Sequence, residues 1–585
     1  MNLDVNGLRL RLKALLKWLG LLDTARLLRR LVMVLINPEF RRQVSEQRRR
    51  ERATKQKLRE LNQRYSVILR HSLAGPVHEN KRALLVSTGF LPEVELELVL
   101  VKALELAGFA PAVLIMYEQR FYPEYFNLVG VKEVVSWKEF CDPPDLADAE
   151  AVIERFLSVE ELLTFEYRDA RVGKLAVASA IRQLRVGDLD LRSPRERQTL
   201  IKCLALAMSS AITAQRIVRQ LHPELLLFKD PAYTPEGELV DNCLSNGIDA
   251  IRYEAAHKSN SLFLKRYTLN NREELLMSLS PKSWQIVRSM EWNDAHRKQL
   301  ERELYDTYAS GDWYSDNLTQ FNTRIIRVDE LRKRLALNPA KKTALIFPHI
   351  LWDASLSGGT DLFHSYEEWF IECVRVACTN DQVNWGIKIH PANVGKSRFE
   401  RYQGEPAELL ALRKHIGDLP PHIFMIPADS DISTFSLFGL IDYCLTVRGT
   451  IGVEAARLGI PVLTAGTGGY DRRGFTIDSD SREEYIDRLT RIQEYPRLSP
   501  AQRELAERFA YCHFLLRPLP LKTVSFERNE DYGVENRFTK TQININNPDD
   551  WYSAPDLRAF AQWVADSNNT DFMMPLPQKQ IITPL

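Results

Sequence analysis

Residues able to do chemistry gather between Trp385 and Thr476, most tightly in Arg448-Gly449-Thr450-Ile451-Gly452-Val453-Glu454. The apolar run 443–447 reads as a strand, and a helix over 451–458 begins directly after Arg448-Gly449-Thr450. Gly459 stands where a left-handed residue closes a helix, and 461–465 reads as the next strand. A strand–glycine–helix turn aims free backbone N–H groups at one point, at the positive end of the helix dipole. Arg448 offers a fork of donors there and Thr450 a hydroxyl, while Gly449 and Gly452 keep the backbone open. Glu454, one helical turn inside, is placed to meet a ribose hydroxyl. Such a set suits capture of a nucleotide phosphate; the competing account is that such turns recur throughout α/β proteins and that an arginine at one is a helix-end salt bridge.

Two neighbouring strand ends point the same way. Residues 385–391 (Trp-Gly-Ile-Lys-Ile-His-Pro) read as a strand with Lys388 and His390 two residues apart, hence on one face. A lysine in a buried parallel strand is costly unless it lies at the carboxyl end, where such sheets bind ligands. A further strand, 423–426, leads through Asp429-Ser430-Asp431 to Ser433-Thr434 at the start of another helix. Asp429-x-Asp431 has metal-ligand spacing, but carboxylates are common caps at helix starts. No metal and no cofactor is expected; a nucleotide would enter as substrate.

Lys388-x-His390-Pro391, Ser433-Thr434, Arg448 to Ala455, Gly459-Ile460-Pro461-Val462 and the Gly466, Tyr470, Gly474-x-Thr476 tail resemble the carboxyl-terminal half of the capsule polysaccharide biosynthesis glycosyltransferases. That family is similar to the β-Kdo transferases. The resemblance covers about residues 340–490. It implies a GT-B-like α/β fold, two Rossmann-like domains facing a cleft, and transfer from a nucleotide-sugar donor to a surface or capsular polysaccharide or glycolipid acceptor. Kdo-transferring members carry Gln-x-Ser where this chain has Asp431-Ile432-Ser433, a departure that leaves the donor sugar open.

If the transfer inverts configuration, a base must take the acceptor proton. The candidates are Asp230, at the end of a strand over 224–230, and Glu254 and His257, just past a strand over 249–253. An ordinary charged loop is the competing account of the same residues. A teichoic-acid type CDP-polyol phosphotransferase, a nonhydrolysing sugar-nucleotide epimerase and a catalytically silent recruiting module remain alternatives.

The elements that must position these groups alternate strand and helix, the pattern of doubly wound sheets. Five segments are expected: a basic amphipathic helical extension (1–75), an acceptor-side Rossmann-like domain (80–260), a helical bridge (261–340), a donor-side Rossmann-like domain (341–495), and carboxyl-terminal helices with a tail (496–585). Within the extension, 41–64 reads as a charged, solvated connector.

At 585 residues the chain exceeds one core. Its net charge of +1 conceals an asymmetry, since residues 1–60 hold 16 Lys and Arg against 6 Asp and Glu. The remainder is therefore net acidic, which argues against a nucleic-acid partner. Leucines interspersed with arginines and lysines through 8–36 read as two short amphipathic helices that suit an anionic membrane surface, or packing on the protein itself or on a second subunit. Seven scattered cysteines without a Cys-x-x-Cys fit reduced thiols, and the expected location is the cytoplasm, peripheral to the inner face of the membrane.

Overall fold

The computed structural model describes residues 37–73, 81–117, 121–315, 319–320, 322–400, 402–467, 469–528 and 538–576. The membrane expectation for residues 1–36 lies outside them. Helix α1 (Pro38–Arg70) precedes the first domain. Apolar runs such as Ala83-Leu84-Leu85-Val86 suit strands buried on both faces, and they form the parallel strands β1 (Arg82–Ser87), β2 (Ala110–Ile115), β3 (Glu133–Ser136), β4 (Leu225–Phe228) and β5 (Asp249–Ala255). Helix α2 (Val94–Leu106) crosses from β1 to β2, while α3 (Val172–Leu184) and α4 (Pro194–Leu221) lie between β3 and β4.

By length and composition α4 could cross a membrane. Instead Leu200, Leu204 and Ala207 pack in one core and Ala214, Ile217 and Leu221 in another, so here it is a core helix. The core that receives α3 and α4 also holds Ile346, Trp369 and Trp385 of the second domain, so the two domains share apolar contacts.

Three segments differ from expectation. The charged connector is the outer part of α1, whose Leu61, Tyr65 and Leu69 are buried in the first domain; its Lys57 pairs with Glu95 (2.7 Å). Residues 261–340 are not wholly a helical bridge. They open with β6 (Ser261–Tyr267), which pairs antiparallel with β5, before α5 (Asp294–Ala309). Its sequence, Ser-Leu-Phe-Leu-Lys-Arg-Tyr, does not alternate, because Lys265 and Arg266 are buried among Asp571, Asp249 and backbone carbonyls. The tail, finally, returns to the first domain, as described below.

The second domain is a five-stranded parallel sheet, ordered β11-β10-β7-β8-β9. Its strands are β7 (Thr343–Ile346), β8 (Asn384–Lys388), β9 (Ile423–Ile426), β10 (Tyr443–Thr446) and β11 (Val462–Thr464). Helices α6 (Tyr366–Thr379), α7 (Thr434–Leu437) and α8 (Ile451–Ala456) connect them, and α9 (Pro500–Tyr511) follows. The chain winds from β7 outward to β8 and β9, then returns to place β10 on the other side of β7. Ligand crevices form at such a reversal of strand order, outside the carboxyl ends.

Past α9, β12 (Leu519–Pro520) pairs with β6, completing a first sheet of order β12-β6-β5-β4-β1-β2-β3. The β13 (Val524–Arg528) and β14 (Phe538–Ile543) pair and helix α10 (Pro555–Ala565) also pack on this domain, with Trp551 and Phe560 in its core. The architecture is α/β and GT-B-like, two Rossmann-like domains facing each other across the bridge.

Candidate functional site

The strand-order reversal of the second sheet opens into a pocket of about 230 Å3. The carboxyl ends of three adjacent strands supply its polar side: Phe347-Pro348-His349 after β7, Lys388 and His390 at β8, and Thr446, Gly449 and Thr450 after β10. Thr434 at the start of α7 and Ile451 and Glu454 of α8 complete that side. The opposite wall comes from the bridge. Tyr308 stacks on Trp313 (centroids 4.4 Å apart), and Trp313 meets Tyr314 edge-on. The Tyr314 N–H donates to the His257 carbonyl (2.7 Å), which ties this wall to the β5–β6 turn of the first domain.

Lys388 is the group that sets the electrostatics. Only 3% exposed, it reaches the carbonyls of Ile389 (3.3 Å) and Pro427 (3.5 Å), and no carboxylate lies within ion-pair distance of it among the described residues. Burial lowers its pKa from 10.5 to about 8, with Asp429 opposing weakly. A buried ammonium without a contacting carboxylate, facing a cavity, favours an anion there.

Two neutral imidazoles stand beside it. The Ala392 N–H donates to His390 Nδ1 (3.2 Å), and the Arg448 N–H donates to His349 Nε2 (3.3 Å). Burial first, then neighbouring cations, pushes the His390 pKa down to about 4 and that of His349 to about 3. Each ring is therefore neutral, and its other nitrogen carries the proton. His390 Nε2–H and His349 Nδ1–H are the donors they can offer an oxyanion. Among the described residues the N–H groups of Thr450 and Ile451 make no hydrogen bond.

Glu454 is a buried acceptor on this surface. The Tyr308 hydroxyl donates to it (2.7 Å), and burial raises its pKa to about 7. In place of an open ribose-facing carboxylate there is a pocket-lining group already engaged by the bridge.

Of the residues expected at the site, Lys388, His390, Thr434, Gly449, Thr450 and Glu454 are brought together here. Ser433 stands one layer behind, its hydroxyl bonded to Gln320 (3.0 Å), which lines the pocket. Arg448 and Gly452 are placed otherwise. The Arg448 fork is turned to Asp361 and the Gly358 carbonyl, so it holds the 358–361 loop instead of joining the lining. Gly452 is needed for close approach: a Cβ there would stand 1.9 Å from the Tyr470 hydroxyl, which itself donates to the Gly449 carbonyl (2.6 Å). Gly459 closes α8 at φ +77°, as the helix end requires. Asp431 is an ion-pair partner of Arg324 and Arg334.

The three base candidates do not converge. His257 is fully buried, bonded through Nε2 to Glu303 (2.9 Å) and packed on Trp313 and Phe514, so it faces no cleft. Expectation failed there because the chain past β5 turns back into β6 and carries the ring inward. Asp230 caps its own turn, accepting from the Ala232 N–H (3.0 Å). Glu254, with its side chain 41% exposed, holds Arg252 (2.7 Å) and lies near enough to bear electrostatically on Tyr314.

His349, Tyr308, Trp313 and Tyr314 were missed. Their signals were present but faint: a histidine after Phe347-Pro348 at a strand end, and the aromatic pair Trp313-Tyr314 inside an otherwise charged helical stretch.

No protein-family model matches this sequence, and no curated protein matches it. Several solved structures are similar in fold. A beta Kdo 2,4 transferase, KpsC of Thermosulfurimonas dismutans, aligns over 51% of this chain and 81% of its own at 16% identity, with a TM-score of 0.32. The beta Kdo 2,7 transferase of the same KpsC aligns over 54% and 82% at 17% identity, TM-score 0.31. UDP-GlcNAc 2-epimerase from Neisseria meningitidis, solved with UDP-GlcNAc, aligns over 74% and 95% at 12% identity, TM-score 0.24.

Proposed function

We propose that this chain is a glycosyltransferase that moves a sugar from a nucleotide-sugar donor to a surface or capsular polysaccharide or glycolipid acceptor, without a metal ion, in the cytoplasm. The observation that carries this is Lys388, a buried ammonium with no carboxylate in ion-pair distance among the described residues, beside two neutral imidazoles in a pocket at the strand-order reversal.

In this proposal Lys388, His390 Nε2–H, His349 Nδ1–H and the Thr450 and Ile451 N–H groups meet the donor phosphate. They offset the charge that grows on the departing nucleotide as the sugar bond breaks, the kind of preorganised stabilisation that lowers such barriers most. The aromatic wall of Trp313 and Tyr314 suits the flat, apolar faces of a nucleobase or sugar. Glu254 is the favoured base for the acceptor hydroxyl, with Asp230 as the second candidate; His257 is withdrawn from the role.

The test is a panel of CMP-, UDP- and GDP-sugars and CDP-polyols, followed by nucleotide release with and without polysaccharide or glycolipid acceptors and with a chelator present. Acceptor-dependent release from a nucleotide-sugar, insensitive to chelator, is expected. Release only from a CDP-polyol would make the chain a phosphotransferase. Failure of every nucleotide to bind or to raise the unfolding temperature would remove the enzymatic reading.

A further inference from the structure

Helix α1 lays its buried residues, Val44, Thr54, Leu61, Tyr65 and Leu69, along one side. At 100° per residue, the exposed Arg41, Arg48, Arg52, Lys55, Arg59 and Arg70 fall within a sector of about 60° on another side. Only Ser66 shares that sector with them, and Ser45 and Gln63 border it. The carboxylates of Glu46, Glu51 and Glu60 all lie outside it. The line runs for roughly 45 Å. Lys55 also rests over the Phe121 ring (5.4 Å), which joins the line to the body of the first domain.

A merely solvated helix face mixes both signs at i,i+4, which stabilises the helix; like charges at that spacing weaken it. Arg48 and Arg52, and Lys55 and Arg59, stand at that unfavourable spacing. The arrangement is complementary to an extended anionic array, not to a single ligand.

We propose that this face of α1 seats the protein on an anionic phospholipid surface. Two observations select a lipid surface over other polyanions. The charges form a straight row, as a plane of headgroups accepts. The chain that enters α1, residues 8–36, is rich in leucine with interspersed arginine and lysine, the composition of an interfacial segment. Because residues beyond 60 are net acidic, an anionic plane attracts this face while repelling the rest, which fixes orientation as well as attachment. The proposal stands independently of the donor pocket.

The test uses the full chain with vesicles of phosphatidylcholine alone or with added phosphatidylglycerol, read by co-sedimentation. The triple variant Arg48→Gln/Arg52→Gln/Arg59→Gln is compared with Arg155→Gln/Arg195→Gln/Arg219→Gln, which removes equal charge from exposed sites elsewhere. Each basic residue near such a surface contributes roughly fivefold, so the α1 triple is expected to lose at least about tenfold in affinity, with the control close to wild type. Binding should also weaken as salt rises. A triple Arg→Lys variant at positions 48, 52 and 59 should bind as wild type does, which separates lost charge from lost fold. Equal loss in the control, an unaffected α1 triple, binding to neutral vesicles as strong as to anionic ones, or preferential retention on RNA would each overturn the proposal.

Discussion

Replacing Lys388 by methionine separates a ligand-binding ammonium from a structural one, because the two roles move stability and affinity in opposite directions. The folded protein holds this group at about 8 against 10.5 when exposed, and it is 3% exposed. That gap corresponds to about 3 kcal/mol of folding free energy spent keeping a proton on a buried amine. An ammonium whose pKa is depressed on folding costs stability while charged. The cost is complete below pH 8, fades as pH rises, and is gone above 10.5. Methionine removes it but forfeits two long hydrogen bonds to carbonyls, worth roughly 1 kcal/mol each at most. Lys388→Met is therefore expected to be more stable than wild type by about 1–2 kcal/mol at neutral pH, with the advantage vanishing toward pH 10. Nucleotide affinity should fall by about 1.5–3 kcal/mol, the worth of a hydrogen bond to a charged group. Wild-type affinity itself should weaken as pH rises beyond about 8, where Lys388 loses its proton. Urea unfolding at two pH values, with calorimetric titration of the nucleotide panel, reads all of this. A variant that is less stable at neutral pH yet binds nucleotide normally would refute the reasoning.

Glu454→Gln should flatten part of the pH dependence of stability. Folding raises this carboxyl from 4.5 to about 7, so its ionisation costs the wild type about 3 kcal/mol between those values and above, a loss the variant escapes; unfolding curves at pH 4.5 and 8 check it, and a raised donor KM would mark contact with ligand. Arg448→Ala leaves Asp361 partly buried without its partner and should destabilise by about 3 kcal/mol, whereas Arg448→Met with Asp361→Leu should recover much of that loss in thermal unfolding. For the base, Glu254→Gln should depress kcat in acceptor-dependent turnover with little change in unfolding temperature. His257→Asn should lower the unfolding temperature while the folded fraction turns over normally, since the ring is enclosed by Glu303, Trp313 and Phe514.

The sequence by itself determined the doubly wound class, most strand positions of both sheets, and two of the three strand ends that meet at the pocket, those of β8 and β10. These are local matters: apolar runs, glycine at a helix end, and polar residues at the carboxyl end of a buried strand each have a short-range physical cause. Lys388 was legible because an ammonium in a buried parallel strand has few places to be. What the tertiary structure alone decided is which way the long side chains turn and which distant segments come together. Arg448 sits at the expected turn, yet its fork pairs with Asp361, a partner 87 residues earlier in the chain. The aromatic wall comes from a bridge whose pattern is mostly charged and helical, and Tyr308 takes its place there only by packing against Glu454 of α8. Strand β6 escaped detection because its Lys265 and Arg266 break the apolar run, and the Asp571 that makes Lys265 tolerable lies 306 residues away. Partners that far apart leave no periodic trace, so an interaction that stabilises a buried charge across domains is settled by folding and not by any window of sequence.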